Sequence, residues 1–325
     1  MEARLVGRRP VVPASALVAG LVPPPHFGAA TFATYVPDPH FPSQSDALGR
    51  TRDFVGGIGG AMRRRSSAGA GLYLDGGFGV GKTHLLTAMA HAVGGRAAYA
   101  TFLEYTNLVG ALGFVAARDS LAHFRLVCID EFELDDPGDT LLMARLMREL
   151  ADAGVAIAAT SNTPPGALGQ GRFAADDLRR EIQALSSRFD VVRIDGPDYR
   201  HRERRAEFEP LSDAEVREAA SATGGVVEEW ADVVNDLVHV HPSRFGAYVD
   251  GIAILGLLGV APLRDQNEAL RVVSLVDRLY DRNVRVAASG VPFAQVFGEQ
   301  MMAGGFRKKY QRALSRLGSM VGGEP

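Results

Sequence analysis

The sequence predicts an α/β fold, a P-loop nucleotide-binding core in which a parallel sheet is flanked by helices. Three observations carry that expectation. Short apolar stretches alternate with amphipathic helical stretches between residues 71 and 194. The first of them, Leu72-Tyr73-Leu74, runs into G-x-x-x-x-G-K-T at Gly76–Thr83. A later one, Leu126–Ile129, ends on the carboxylate pair Asp130 and Glu131.

Alternation of this kind buries strands on both faces, which is the environment of parallel sheets. Strands are expected near Gly71–Leu74, Ala97–Thr101, Leu126–Ile129, Val155–Ala159 and Val191–Ile194. Helices are expected near Lys82–Val93, Leu103–Phe114, Asp139–Asp152 and Leu178–Ser187, with right-handed crossovers. Ligands of such sheets sit at the C-terminal strand ends, so the phosphate loop, Asp130 and Asn162 are expected on one rim.

The chain divides by composition into three parts. Residues 1–50 are rich in Pro, Gly and Ala and read as an extended lead-in, with a helical stretch from Gln44 to Arg65. Aromatics among the prolines of Phe32–Leu48 favour packing over disorder. Residues 51–200 form the expected core. Residues 201–325 form an α/β extension packed on it, with strands at Leu237–Val240, Gly251–Leu255 and Val284–Ala288. Helices are expected there over Gln266–Arg282 and Phe306–Met320. Ile252–Phe297 echoes Leu126–Leu168 in pattern but lacks the acidic pair and the Asn, which suggests that the sheet continues into this third.

The 325 residues are 46% hydrophobic with a net charge of −3, enough for a large core and without a basic signature for nucleic acid. The single cysteine, Cys128, excludes an intramolecular disulfide framework and a Cys-based zinc cluster, and suits a reducing compartment. It lies in an apolar stretch and reads as a core residue. The start shows no sustained apolar leader segment, and no apolar run reaches the length of a bilayer span, so a cytoplasmic protein is expected.

The chemistry of the loop asks for its residue types. Gly76, Gly77, Gly79 and Gly81 let the backbone approach phosphate oxygens, with N–H groups turned inward and a helix N-terminus behind them. Lys82 reaches the β- and γ-phosphates and the Thr83 hydroxyl is a Mg²⁺ ligand. The expected nucleotide contacts are therefore Gly76, Gly77, Phe78, Gly79, Val80, Gly81, Lys82, Thr83 and His84. Asp130 supports the Mg²⁺ shell, and Glu131 is placed to orient and deprotonate water. Asn162, at the end of Ala159–Asn162 (ATSN), can bond both water and the γ-phosphate. Thr160 or Ser161 can do the same, and Asn before Thr-Pro-Pro also fits a simple turn. Transfer of the γ-phosphoryl group needs positive charge, and Arg188 is the first candidate. Arg172, Arg179, Arg180 and Arg316 are alternatives. The cluster Arg200, Arg202, Arg204 and Arg205 reads as a solvated surface.

The segments GLYLDGGFGVGKTHL, CIDEFELDDPGDTLLMARLMREL, ATSNTPPGAL and VVRIDGPDYRHR, in this order, resemble the ZapE/AFG-type ATPase family. LVDRLYDRNVRVAASGVP and RALSRLGSM extend the resemblance to nearly the whole chain. It implies an AAA+-like ATPase that uses ATP and Mg²⁺, with Gly76–Thr83 on phosphate, Asp130 and Glu131 on metal and water, and Asn162 as sensor. The bacterial branch is associated with cell division through the tubulin-like ring protein FtsZ. The mitochondrial branch acts on inner-membrane proteins. A protein partner, division-ring or membrane-associated, is thus implied. Nucleic acid is disfavoured by the acidic balance, and peripheral docking at a membrane stays open. Arginines supplied in trans would require a homo-oligomer formed with nucleotide. Gly166–Asp177 departs from the family's shorter Arg-Phe segment.

Overall fold

Five parallel strands realise the alternation: β1 (Gly71–Gly76), β2 (Ala97–Thr101), β3 (Leu126–Asp130), β4 (Ala156–Ser161) and β5 (Phe189–Ile194). They lie in the order β2-β3-β4-β1-β5. The computed structural model of the protein describes residues 4–58, 71–77, 79–134, 137–165, 168, 183–184, 187–196, 209–222 and 224–321. Two compact units divide the chain. The first comprises Ala14–Pro23 and Phe27–Glu203, the second Met1–Pro13, Pro24–His26 and Arg204–Pro325.

In the first unit, helices α1 (Ala14–Ala19), α2 (Pro42–Gly57), α3 (Lys82–Val93), α4 (Phe102–Leu112), α5 (Phe114–Leu121) and α6 (Pro137–Asp152) accompany the sheet. Alternate strand residues point to opposite faces. Leu72, Leu74, Cys128, Ala158 and Ile194 pack with Leu85, Leu86 and Met89 of α3 on one face. Tyr73, Val127, Ile129 and Ile157 pack with Tyr105 of α4 and Met143, Leu146 and Leu150 of α6 on the other. Burial pushes the Cys128 thiol pKa far up, which fits an inert core residue.

Several expectations shift. The helix expected from Gln44 starts at Pro42, where a proline fits the first turn. The helix expected over Leu103–Phe114 ends at Leu112, and a separate α5 follows Gly113. The helix expected over Leu178–Ser187 and the cluster Arg200–Arg205 fall largely or wholly outside the described residues.

The second unit has its own three-stranded parallel sheet, β6 (Val226–Glu229), β7 (Ile254–Val260) and β8 (Arg285–Gly290), in the order β6-β7-β8. The expected continuation of the first sheet is therefore corrected: the echo Ile252–Phe297 is a βαβ unit, but in a separate sheet. Its helices include α7 (Asp213–Ser221), α8 (Trp230–Asp236), α9 (Phe245–Tyr248), α10 (Gln266–Asp281), α11 (Glu299–Ala303) and α12 (Arg307–Val321). Leu237–Val240 is not a strand. Leu237–His239 is a 3₁₀ turn continuing α8, and it buries Leu237 and Val240, three residues apart, while Val238 is exposed. Part of the expected lead-in belongs here too. Leu5 is buried in this core, and the Leu5 and Val6 N–H groups donate to Glu228 on β6.

Candidate active site

The site is built at the C-terminal ends of β1, β3 and β4, and the strand order explains why. β4 lies between the other two: Asp75 pairs with Ser161, and Ile129 with Ala159. Whatever follows Ser161 must emerge between the loop after β1 and the carboxylates after β3.

The loop after β1 is shaped by two close approaches. A Cβ on Gly76 would stand 2.3 Å from the Ile194 carbonyl oxygen. Gly81 has φ +90°, and a Cβ there would stand 2.6 Å from the Tyr35 ring. Tyr35 is buried, its hydroxyl donates to the Val80 carbonyl at 3.3 Å, and its ring meets His84 edge-on. His84 Nε2 in turn contacts the Thr31 carbonyl at 2.9 Å and Thr34 Oγ1 at 3.3 Å. Val80 and His84 thus tie the loop to Thr31–Tyr35, while Gly77 and Gly79 belong to the loop itself. Phe78 lies outside the described residues.

Gly81 ends the loop and α3 begins at Lys82, so the N-terminus of the helix lies at the same rim. Lys82 Nζ donates to the Gly76 carbonyl at 2.9 Å, to the Gly77 carbonyl, and to Asn162 Oδ1 at 2.8 Å. Thr83 Oγ1 donates to Asp130 Oδ1 at 3.3 Å. The structure therefore brings Lys82 to Asn162 and Thr83 to Asp130, two bonded pairs made from consecutive residues of the α3 start. Glu131 starts the turn beyond Asp130 with φ +54°, a left-handed conformation uncommon for a residue with a side chain.

Asp130 is 7% exposed and is held on both oxygens. Oδ2 accepts from the Tyr99 hydroxyl at 2.9 Å. Oδ1 accepts from the Thr160 hydroxyl, and from the Glu131 N–H at 3.2 Å. Burial first, then the Asp130 charge, raises the Tyr99 pKa, so the phenol stays a donor. Tyr99, and Tyr35 against the loop, are site residues that the motif reading missed. For Tyr35 the aromatics among the early prolines were a usable signal. For Tyr99 only the pairing of β2 with β3 reveals it.

Arg188 is not brought to this group. It precedes the first residue of β5, and Phe189 pairs with Gly71, the first residue of β1. Five residues of parallel strand, about 16 Å, separate that end from the loop. Its guanidinium pairs with Asp152 at 3.1 Å. Arg316 lies in the other unit, bonded to Asp277. Arg172, Arg179 and Arg180 fall outside the described residues. Among the described residues, Arg193 stands at this rim, bonded to the buried Asp75 at 2.9 Å.

The sequence profile of AFG1-like ATPases matches residues 11–235 and 217–324. The chain belongs to the AFG1-like ATPase family. Cell division protein ZapE of Escherichia coli K12 is 29% identical over 299 residues, covering 77% of each chain. Lactation elevated protein 1 homolog B of Danio rerio is 24% identical, over 59% of this chain and 45% of its own length. Among solved structures, domain III of the Thermotoga maritima replication initiation protein DnaA is 20% identical, covering 61% of this AFG1-like chain and 72% of its own, with a TM-score of 0.41. Among the described residues, no helix of this AFG1-like ATPase is long and apolar enough to cross a membrane.

Proposed function

We propose that the protein hydrolyses ATP with Mg²⁺ and couples turnover to remodelling a protein assembly in cell division. The observation that carries the hydrolytic part is the pair of bonds Lys82–Asn162 and Thr83–Asp130, made by consecutive residues of the α3 start, with Glu131 beginning the adjoining turn. The cell-division part rests on the similarity to ZapE, and the tubulin-like ring protein FtsZ is the first partner to test.

The residues present suit both ligands. Gly76 and Gly81 sit where a Cβ would collide with neighbouring groups, so the loop backbone can hug phosphate. The Thr83 hydroxyl and the Asp130 carboxylate are oxygen donors, the type Mg²⁺ takes while keeping water and phosphate in its shell. Bound Mg·ATP supplies the transferable γ-phosphoryl group and the charge neutralisation around it.

The chain's own groups do the rest. Lys82 places its cation where the loop carbonyls and Asn162 converge, so charge developing on phosphate meets a preorganised donor. Asn162 accepts from Lys82 through Oδ1, and its amide nitrogen can donate to a phosphoryl oxygen or water. Glu131 can accept a proton from water at its carboxylate, on the turn beside Asp130. Arg188 lies at the far rim, so its participation requires a second copy of the chain, and specific activity that rises with protein concentration is its signature.

The test is phosphate release from ATP with and without Mg²⁺, followed by pelleting of FtsZ filaments with the protein under ATP and ADP. Mg²⁺-dependent release and nucleotide-dependent filament change support the reading. Release without filament change retains the ATPase and removes the division-ring client. No release under either condition removes the hydrolytic reading.

A further inference from the structure

We propose that Thr160 is a positioning residue for hydrolysis whose hydroxyl ties Asp130 and the Glu131 turn together, with Tyr99 holding the second oxygen of Asp130. The inference rests on the ATPase reading above and goes beyond it, because it assigns roles to two residues outside the family of phosphate, metal and water contacts.

Thr160 bonds to three consecutive residues. Its hydroxyl donates to Asp130 Oδ1 and accepts from the Glu131 N–H at 3.1 Å. Its carbonyl accepts from the Phe132 N–H at 2.7 Å. A hydroxyl has one proton to give and lone pairs to receive, so no apolar isostere reproduces this pattern. The turn's own bond, from the Glu131 N–H to Asp130 Oδ1 at 3.2 Å, uses the same oxygen that the Thr160 hydroxyl holds. Glu131 has φ +54°, and such a conformation persists in a residue with a side chain only where the surroundings over-determine it.

Thr160 is itself fixed. It is 2% exposed and pairs with Leu74 of β1, two residues before the phosphate loop begins. Two residues later, Asn162 touches Lys82. β4 thus links the strand that carries the phosphate loop to the turn that carries the carboxylates, through Thr160 on one side and Asn162 on the other. The Tyr99 hydroxyl donates to Asp130 Oδ2, the oxygen that Thr160 does not hold. The two hydroxyls therefore have separable effects. Losing Tyr99 releases only the Oδ2 oxygen of the carboxylate. Losing Thr160 loosens that carboxylate and frees Glu131 as well.

The experiment compares wild type, Thr160→Val, Thr160→Ser and Tyr99→Phe in the full chain. It reads kcat, the affinity for a fluorescent ATP analogue with and without Mg²⁺, and thermal stability. Thr160→Val is expected to lower kcat about 10- to 100-fold, in line with the loss of a hydrogen bond to a charged partner. It is also expected to lose most of the Mg²⁺ enhancement of binding while metal-free affinity stays within about threefold. Thr160→Ser, which keeps the hydroxyl, is expected to restore both. Tyr99→Phe is expected to raise the Mg²⁺ needed for half-maximal activity with a smaller loss of kcat. Should Thr160→Val unfold, Thr160→Ala removes the hydroxyl without adding a methyl group and is read in the same way.

A folded Thr160→Val or Thr160→Ala enzyme with wild-type kcat and wild-type Mg²⁺ enhancement overturns the proposal. Equal impairment of the Ser and Val variants also overturns it, because the methyl packing and not the hydroxyl would then matter. If wild type binds Mg·ATP but does not turn over, the hydrolytic reading fails, and the Mg²⁺ enhancement still decides the role of Thr160.

Discussion

Asn162 separates two readings that its local sequence leaves open. As a residue of the phosphate rim it accepts from Lys82 Nζ at 2.8 Å. As a turn former before Thr163-Pro164-Pro165 it would serve the backbone alone. Substitution by Ala and by Asp distinguishes them. Ala removes one hydrogen bond to a charged donor, but Lys82 keeps the carbonyls of Gly76 and Gly77. The low end of the range for charged bonds, about 1.5 kcal/mol, then applies, or roughly tenfold in rate. Asp places a full negative charge at the same point. Against a phosphoryl oxygen about 4 Å away, at an effective dielectric near 20, the repulsion is about 4 kcal/mol. Pairing with Lys82 offsets part of it, leaving about 2–4 kcal/mol, a loss of roughly 30- to 1000-fold. The expected order of activity is therefore Asn, then Ala, then Asp. The turn reading predicts the opposite for the last two, because Asp forms such turns as well as Asn does. The assay is steady-state phosphate release at saturating Mg·ATP. Asn162→Asp at or above the rate of Asn162→Ala would refute the placement of this side chain against the transferring group.

Three further outcomes follow from the geometry. Gly81→Ala introduces a left-handed alanine, at about 1–2 kcal/mol, together with a Cβ 2.6 Å from the buried Tyr35 ring. Nucleotide affinity measured by fluorescence titration should fall at least about tenfold, and adding Tyr35→Ala should not restore it, because the φ strain stays. Asp277 is buried between Arg312 and Arg316; burial opposes its charge, but the two guanidinium groups more than offset this and hold its pKa at about 2 against an ordinary 3.8. Its ionised form therefore contributes stability above pH 3.8 that is lost as pH falls towards 2, on the order of 2 kcal/mol. In acid titrations followed by Trp230, the single tryptophan and a residue of the same unit, Asp277→Asn should lower stability near neutrality and flatten the difference from wild type below pH 4. Arg188→Ala, which removes an exposed pair with Asp152, should leave the specific activity of dilute protein within about twofold and the stability within about 1 kcal/mol. A tenfold loss at high dilution would contradict its placement on the far rim.

Much of the site was legible because its chemistry is local in the chain. Gly76–Thr83 encodes a loop and a helix start in eight residues, and Leu126–Glu131 encodes an apolar strand with carboxylates at its end. Asn162 was legible by the same logic, as a polar residue closing an apolar strand. What the sequence hides is lateral neighbourhood. Nothing in the spacing of Tyr99 or Thr160 says that both reach Asp130, because that depends on β2 and β4 flanking β3. Arg188 shows the same limit from the other side. It is adjacent in sequence to a strand of the right sheet, but it precedes that strand, and parallel strands place their starts on the rim away from the ligand. In the second unit, β6 was missed because its four residues include Glu228 and Glu229. The burial of Glu228 makes sense only once the N–H groups of Leu5 and Val6 are seen to satisfy it. Leu237–Val240 was read as a strand because four apolar or small-ring residues in a row fit either period, and the i, i+3 burial of Leu237 and Val240 decides for the turn.

The central claim is that the phosphate loop and the Asp130–Glu131 turn form one hydrolytic centre. Its most direct test is single-turnover cleavage of bound ATP by wild type, Lys82→Ala and Glu131→Gln, with binding measured in parallel. The account predicts that Glu131→Gln binds ATP as wild type does but cleaves it about 10²–10³ times more slowly, and that Lys82→Ala loses binding and cleavage together. Cleavage by Glu131→Gln at the wild-type rate, or full activity without Lys82, would contradict it.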